Sequence, residues 1–493
     1  MSRPSTSFTL ESRHVPAFTE ANVRHLLRRT EITDRPERVT HLLGLGSMAA
    51  CVDDVLAVPS DPPSASFSGL GQDDTWRKGV RLSEFWMDRM ASTTRPFGER
   101  MAFFWHGHIP SELGKVGSAE LMREQIDLWR RDGVNGDVTS LVRDMSIQVA
   151  MLRYLDNDRN FANSPNQNFA RELMELFVLG VGNYTEADVE AATAAWTGHT
   201  AAWNTGVYEF LPPAPPDRWW EAGHDPTPQD FLGRRVNDSG RPYAEAGFET
   251  IEVILGTGPL GSGTVPVGPN AGRPTEQVAA EFLSRKLWQE FGEADSRSVP
   301  SGVLAAMRSA LIDSGFRIRP WVRAMLLHDD FYADATMTGL VRQPVEYAVA
   351  LMRASGLPAE RAASFWLMDR AGQRLLYPPN VSGWKPNGYW VNASAMEARN
   401  RMVQGVLWSV GDGTWDRDDG GYIDLPGGRI TRDQMENEPI PTWVDRVISA
   451  TQLEVRPATR AACITHLEHP DVQRWHRLDA LMLVLLAPEI HVA

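Results

Sequence analysis

The sequence predicts a mainly α, multi-helix globular fold with long irregular loop excursions and little strand. Apolar residues recur at helical spacing through most of the chain, as amphipathic helices require. Strand-like alternation is scarce, and no internal repeat is present. Hydrophobic residues make up 42% and charged residues 23% of the 493, a globular composition long enough to bury a substantial core.

The helices follow in order. Asn22 precedes Val23, Leu26 and Leu27, and Val39, Leu42 and Leu43 follow Pro36. Residues 59–68, rich in Pro and Ser, read as a surface loop, and a helical run resumes over 73–90. Pro96 suits the first turn of a helix carrying Phe97, Met101, Phe104 and Trp105, with Gly107 and Pro110 as its stop. Helices are predicted over 119–131 and 138–155, then an Asn/Asp-rich stretch, 157–165, leads into a helix over 166–180. Thr185 with Asp188 has the form of a capping box for a further helix ending near Gly198. Residues 200–275 change character: Pro212, Pro213, Pro215, Pro216 and repeated glycines predict an irregular excursion. Helical periodicity returns at Thr275–Phe291 and runs to about Ser355. A second irregular stretch, 377–391, is dense in Pro, Gly, Asn and Trp; a turn-rich insertion, 411–428, precedes two final helices.

Charge and composition bound the function. A net charge of −14 argues against a nucleic-acid partner, which calls for a basic patch. The N-terminus lacks the basic start and apolar core of a signal peptide, and the longest apolar run, 481–487, is too short to span a bilayer, so no membrane partner and a cytoplasmic location are expected. Cys51 and Cys463 read as reduced thiols. Seventeen tryptophans, several within 196–220 and 384–390, read as core or as an aromatic-walled cleft for sugar-like or peptide-like ligands.

Four constellations could carry chemistry. At about 100° per residue, the helix from Asn166 gathers Phe169, Leu173, Leu176 and Phe177 on one side and Asn168, Arg171, Glu172 and Glu175 on the other. Glu172 and Glu175 stand i, i+3, so they could share a proton, ligate a divalent ion or divide acid and base roles. The plainer reading is a solvated face with an Arg171–Glu175 ion pair. His106 and His108 form a His-x-His pair that shares a ligand only if the helix ends at Gly107; otherwise one imidazole serves the helix C-terminus and the other packs on Phe104. His224 beside Asp225 has the chemistry of an oriented imidazole, and Gly198-His199-Thr200 lies nearby. Asn380, Trp384, Asn387 and Trp390 could wall a site with amide and indole donors. No Walker loop, dinucleotide fingerprint, nucleophile elbow or His-Glu-x-x-His is present.

At these residues the chain resembles a known bacterial family, the domain of unknown function eighteen hundred. The resemblance rests on Phe104-Trp105-His106-Gly107-His108, Met151 to Asp156, Pro165 to Leu176, Leu179 to Thr185, His224-Asp225 with Phe231-Leu232-Gly233, and Pro378 to Trp384. It implies one predominantly helical unit over 23–493 with an N-terminal extension, 1–22. It supplies no reaction. Members often bear export signals and are often encoded beside a sulfatase-like family, which implies a sulfatase-like partner in degrading or modifying a polymer. The chain departs from the family pattern at Gln167, where Glu is usual, at Gly107, where Asn is common, and at His199, where Trp is common.

Together the residues and the resemblance predict a cleft enzyme, a divalent-metal-dependent hydrolase acting on a polar or glycan-like substrate. Glu172 or Glu175 would be base or metal ligand, His106 and His108 ligands or proton shuttles, and Arg171 an anion binder. Asn168, His224, Asp225, Asn380 and Trp384 would bind substrate. A set of roughly three to four N/O ligands suits Zn²⁺, Fe²⁺ or Mn²⁺. The alternative is a non-catalytic protein whose polar helix is a buried ion-pair strut, or whose Trp-rich loops bind a glycan or peptide.

Overall fold

The computed structural model describes residues 16–202, 206–215, 223–293, 298–363, 365–412, 414–415 and 420–493, the side chain of Trp475 aside. Among them, strand is confined to three antiparallel hairpins: His199–Ala201 with Tyr208–Phe210, Gln229–Phe231 with Arg234–Val236, and Tyr422–Leu425 with Gly428–Thr431. Everything else of regular form is helical, as the periodicity predicts. One contiguous apolar cluster runs from Val23 to Ile490.

Two helices lie at its centre. Pro96–His108 starts on its proline, as expected, and every residue in it except Gly107 is buried. Pro344–Ser355 is also buried along almost its whole length. Around the first packs Ala119–Asn135, capped by Ser118. The two approach closely at Gly133, where a Cβ would stand 2.8 Å from Trp105, whose indole N–H donates to the Gly133 carbonyl at 3.0 Å. Thr275–Phe291 forms with the predicted bounds. The capping box of Thr185 and Asp188 opens Glu186–Ala195.

Three expectations need correction. After the turn-rich insertion the described residues form five α-helices where two were expected: Arg432–Asn437, Ile440–Thr451, Pro457–Leu467, Asp479–Leu485 and Pro488–His491. The helix over 138–155 is two helices, Val138–Ile147 and Val149–Tyr154, broken where Gln148 is extended. The excursion over 200–275 contains the helix Ala246–Leu255 as well as two hairpins. All ten of that helix's residues are buried. A helix enclosed on every side has no polar face and hence no amphipathic period to read. Gly247 lets it lie against Trp196, since a Cβ there would come within 2.5 Å of the indole.

The second excursion, 377–391, is irregular apart from a 3-10 turn, Asn387–Trp390. Most of the extension 1–22, Trp203, Pro216, Trp219, Trp220 and part of the 411–428 insertion lie outside the described residues. Cys51 and Cys463 are buried free thiols. Among the described residues no helix is long and apolar enough to cross a membrane.

Candidate functional site

The helix over 166–180 is set in place by asparagines. Asn160, fully buried, donates to the Thr193 carbonyl at 3.0 Å and accepts the Asn166 N–H at 2.9 Å. Asn166 in turn accepts the Asn168 N–H at 3.0 Å, and the Asn168 amide donates to the Leu155 carbonyl at 3.2 Å. Asn168 therefore anchors the start of the helix instead of projecting as a free donor. The helix runs as α over Asn168–Glu172 and continues as π over Leu173–Val178, closing with Leu179 N–H on the Met174 carbonyl at 3.1 Å. Such π turns are rare and concentrate at functional sites. The wider turn keeps Phe169, Leu173, Met174 and Phe177 in the core but leaves Leu176, predicted to be core, half-exposed.

The polar face is half-exposed, as the wheel predicts, but its pairing is different. Arg171 turns away from Glu175: it donates to Glu186 at 2.6 Å and to the Gln167 side chain at 3.0 Å. Neither the predicted Arg171–Glu175 pair nor a sealed Arg171–Glu172–Glu175 strut forms. Glu175 instead accepts the Tyr184 hydroxyl at 2.8 Å. Partial burial raises the Glu172 carboxyl, and the neighbouring Glu175 charge raises it further, which favours its protonated form. Glu172 in turn acts on Tyr154, whose phenol is pushed up to about 12 mainly by burial and then by Glu112 and Glu172. A carboxylate pair and two phenols thus share one face.

The histidines are latches. His108 ends its helix and donates from Nε2 to the carbonyl of Phe177 at 2.9 Å, satisfying one of the orphan carbonyls at the close of the π turn. Its ring stacks on Phe104 at 5.6 Å and 10°. His106, fully buried among Trp86, Trp129 and Trp384, accepts the Leu376 N–H on Nε2 at 3.1 Å. Burial holds both imidazoles neutral, down to about 3; Lys286 contributes at His108. His106 and His108 therefore point into different bonds. No three His, Cys, Asp or Glu side chains among the described residues come together to hold a metal, so the predicted four-residue ligand set is not assembled.

These elements enclose a small cleft of about 80 Å³, between the end of Pro96–His108, the π turn, Thr275–Phe291 and the loop after Tyr377. His108, Leu176, Trp384, Lys286 and Lys385 line it. Gly383, at φ 71°, presses the loop onto the helix end so closely that a Cβ would stand 1.9 Å from the Gly107 carbonyl. With Nε2 committed to Phe177, Nδ1 is the acceptor left on the His108 ring. Lys286 is half-buried, its amine 5.5 Å above the Phe282 ring, and makes no hydrogen bond or ion pair with the described residues. Burial lowers its ammonium from the usual lysine range.

A comparison with known families decides the relationship: the model described as "Protein of unknown function (DUF1800)" matches residues 25–257 and 274–492. The chain belongs to this family. No curated protein and no solved structure matches it. Of the segments that carry the resemblance, Trp105–His108 meets the π-turn helix through His108 and the loop ending at Trp384 through Gly107.

Other predicted positions of this DUF1800 chain lie elsewhere. His224 is buried, hydrogen-bonded to Thr197 O at 3.0 Å and to the Asn237 side chain at 3.3 Å, while Asp225 accepts the Thr227 N–H at 2.9 Å. The two sit at a hairpin crossing and make no His–Asp contact. Asn380 closes its own turn, accepting from Ser382 N–H at 2.9 Å and hydroxyl at 2.6 Å. Trp196 and Trp390 are fully buried, so they wall no cleft. A roomier cavity of about 780 Å³ lies between the N- and C-terminal helices. At its wall Asp34 takes Arg24 and Arg28 at 3.2 Å each, while Arg353 is held by the carbonyls of Ala91 at 3.1 Å and Met90 at 2.5 Å.

Each position expected to depart from the family pattern has a local setting. Gln167 holds Arg171, a place a Glu would fill equally. Gly107 faces Trp384, 3.9 Å from where a Cβ would stand, so the absence of a side chain keeps the cleft open. His199 sits in an aromatic nest, 5.2 Å from both Trp196 and Phe210, and burial holds it neutral to about 3. Sequence reasoning missed Lys286 and Tyr184. The i, i+4 spacing of Phe282 and Lys286 was the available signal for the first.

Proposed function

We propose that this chain is a cleft enzyme of hydrolytic type acting on a polar substrate that carries an anionic group. The unpaired, half-buried Lys286 amine beside the signature His108 carries the reading. A partly desolvated ammonium without a carboxylate favours an incoming anion, and Lys385 adds a second positive charge at the mouth. The cleft admits only the charged head of a ligand; the remainder lies along the π-turn helix, where Leu176 adjoins Glu175. There Glu172, inclined to hold its proton, serves as acid and Glu175, oriented by Tyr184, as base. His108 contributes Nδ1 as a hydrogen-bond acceptor, and His106 supports the loop. A sulfatase-like partner fits the same reading, since a sulfated polymer would supply the anionic group.

Calorimetric titration with sulfate, phosphate and acetate tests the binding step. Saturable binding by the wild type that weakens at least about tenfold in Lys286→Met is expected, the loss of one charge-assisted contact. Equal binding by both proteins, or none by the wild type, would overturn it. For the reaction, chromogenic sulfate, phosphate and glycoside esters should be turned over by the wild type and not by Glu172→Gln; equal rates would remove Glu172 from the chemistry.

A further inference from the structure

Away from the cleft, the surface carries aromatic rings that the core does not claim. Trp76 lies in the first turn of the helix Thr75–Ser92, and Trp366 on Phe365–Arg370. They are 43% and 64% exposed, yet they touch, with ring centroids 5.6 Å apart at 40°. Phe365 forms the floor, edge-on to Trp76 at 4.8 Å, and Arg374 backs it at 4.9 Å. Single exposed apolar side chains are ordinary, but two adjoining indoles on a packed ring are not, and such surfaces mark binding sites.

These rings wall a groove of about 370 Å³. Among the described residues its charged side chains are Arg77, Arg81, Glu84 and Glu360, two of each sign, so it favours neither an anion nor a cation. Arg77 lies 3.5 Å from Asp74. Arg81, Glu84 and Glu360 make no hydrogen bond or ion pair with the described residues. Glu84 is half-buried; burial, then the charges of Glu360 and Asp88, raise its carboxyl, with Arg81 opposing. Ring faces flanked by balanced, uncommitted donors and acceptors suit a sugar. The C–H face of a pyranose is apolar and faintly positive, so it lies on the negative face of an indole. Its hydroxyls reach the carboxylates and guanidinium groups at the rim. A protein partner fits less well, since nine described residues line the groove against about 20–30 a side in a stable interface.

The platform leads towards the π-turn helix. Thr75 Oγ1 donates to the Gly117 carbonyl at 3.5 Å, which sets the start of the Trp76 helix against Leu113–Val116. Leu113 N–H donates to the Leu376 carbonyl at 2.9 Å, placing Glu112 beside Tyr377, whose ring is 6.1 Å from Phe365. Lys115 bonds Asp156 at 2.8 Å and lies 5.9 Å above Tyr154, where the Glu172 charge is felt. We propose that Trp76 and Trp366 form a platform that stacks sugar units of a polysaccharide, with Arg81, Glu84 and Glu360 bonding its hydroxyls. That the held chain continues past Tyr377 to Glu172 and Glu175 rests on the function proposed for that helix.

Native electrophoresis through gels containing xylan, hydroxyethylcellulose, chondroitin sulfate or carrageenan tests the platform. At least one polymer should retard the wild type, and Trp366→Ala should weaken that retardation at least about tenfold. The sulfate titration of the Lys286 cleft should be unchanged in the variant, so failure of the platform and failure of the cleft are read separately. Oxidation by N-bromosuccinimide, mapped by mass spectrometry on the wild type, needs no variant. The retarding polymer should shield Trp76 and Trp366, and a polymer that does not retard the protein should not. Retardation by none of the polymers, equal retardation of both proteins, or unshielded indoles overturns the proposal. So does a wild-type dimer that Trp366→Ala renders monomeric, since a second copy would then cover the rings. Should Trp366→Ala fail to fold, the oxidation map decides alone.

Discussion

Replacing His108 by Phe isolates the latch between the two signature helices. The ring keeps its stack on Phe104, but the Phe177 carbonyl loses the Nε2–H bond of 2.9 Å. Leaving a buried acceptor unpaired costs about 1–3 kcal/mol at pH 7. Acid changes that figure in a known direction. The unfolded chain takes a proton on this imidazole near pH 6.5, whereas burial holds the folded one neutral down to about 3. Between those values each unit of acidification favours unfolding of the wild type by about 1.4 kcal/mol. From pH 7 to pH 5 the wild type therefore loses about 2 kcal/mol at this side chain, a loss His108→Phe does not share. The two proteins should converge on acidification, and nearly coincide at pH 5. Urea unfolding followed by circular dichroism at pH 7, 6 and 5 measures the gap. A gap that stays constant, or widens towards acid, would refute the neutral latch, because it requires the folded imidazole to carry a proton.

Three further changes probe the junction. Gly383→Ala places a Cβ 1.9 Å from the Gly107 carbonyl at a φ of 71°; scanning fluorimetry should show a loss of about 1–3 kcal/mol or more, and an unchanged midpoint would mean that the loop does not rest on the helix end. Tyr184→Phe removes the hydroxyl that Glu175 accepts and should cost about 0.5–1.5 kcal/mol in urea; a neutral result would leave Glu175 without its orienting partner. Gln167→Glu places a carboxylate at a position already bonded to Arg171. It should stabilise by a few tenths of a kcal/mol in low salt, and the gain should vanish in 1 M NaCl.

Where local physics decides the structure, the sequence shows it. Pro96 opens its helix, Thr185 and Asp188 cap theirs, and Thr275–Phe291 forms as its apolar spacing requires. The polar face of Arg171, Glu172 and Glu175 was likewise visible on a wheel. What the wheel could not show is which partner each charge finds, because Glu186 and Tyr184 lie beyond the helix. The π turn was hidden for a related reason: it is fixed by how the helix closes on Met174 and His108, not by residue type. The helix Ala246–Leu255 escaped because burial on all sides erased its period. His106 and His108 looked like ligands since an imidazole's chemistry is the same in a metal site and in a core. Only burial, and the bonds to Leu376 and Phe177, separate the two.

The bond between His106 and Leu376 spans 270 residues of chain. At about 5–20 residues per second of synthesis, the helix carrying His106 waits roughly 15–50 s before its partner leaves the ribosome. Throughout that interval Trp86, Trp129 and an unsatisfied imidazole nitrogen face each other without the loop that covers them. The cover over this part of the core therefore arrives late, and a growing chain must carry an open hydrophobic seam until it does. A nascent chain released before Leu376 would expose that seam, and a ribosome pause placed far enough beyond residue 391 for the loop to have left the exit tunnel would let it close.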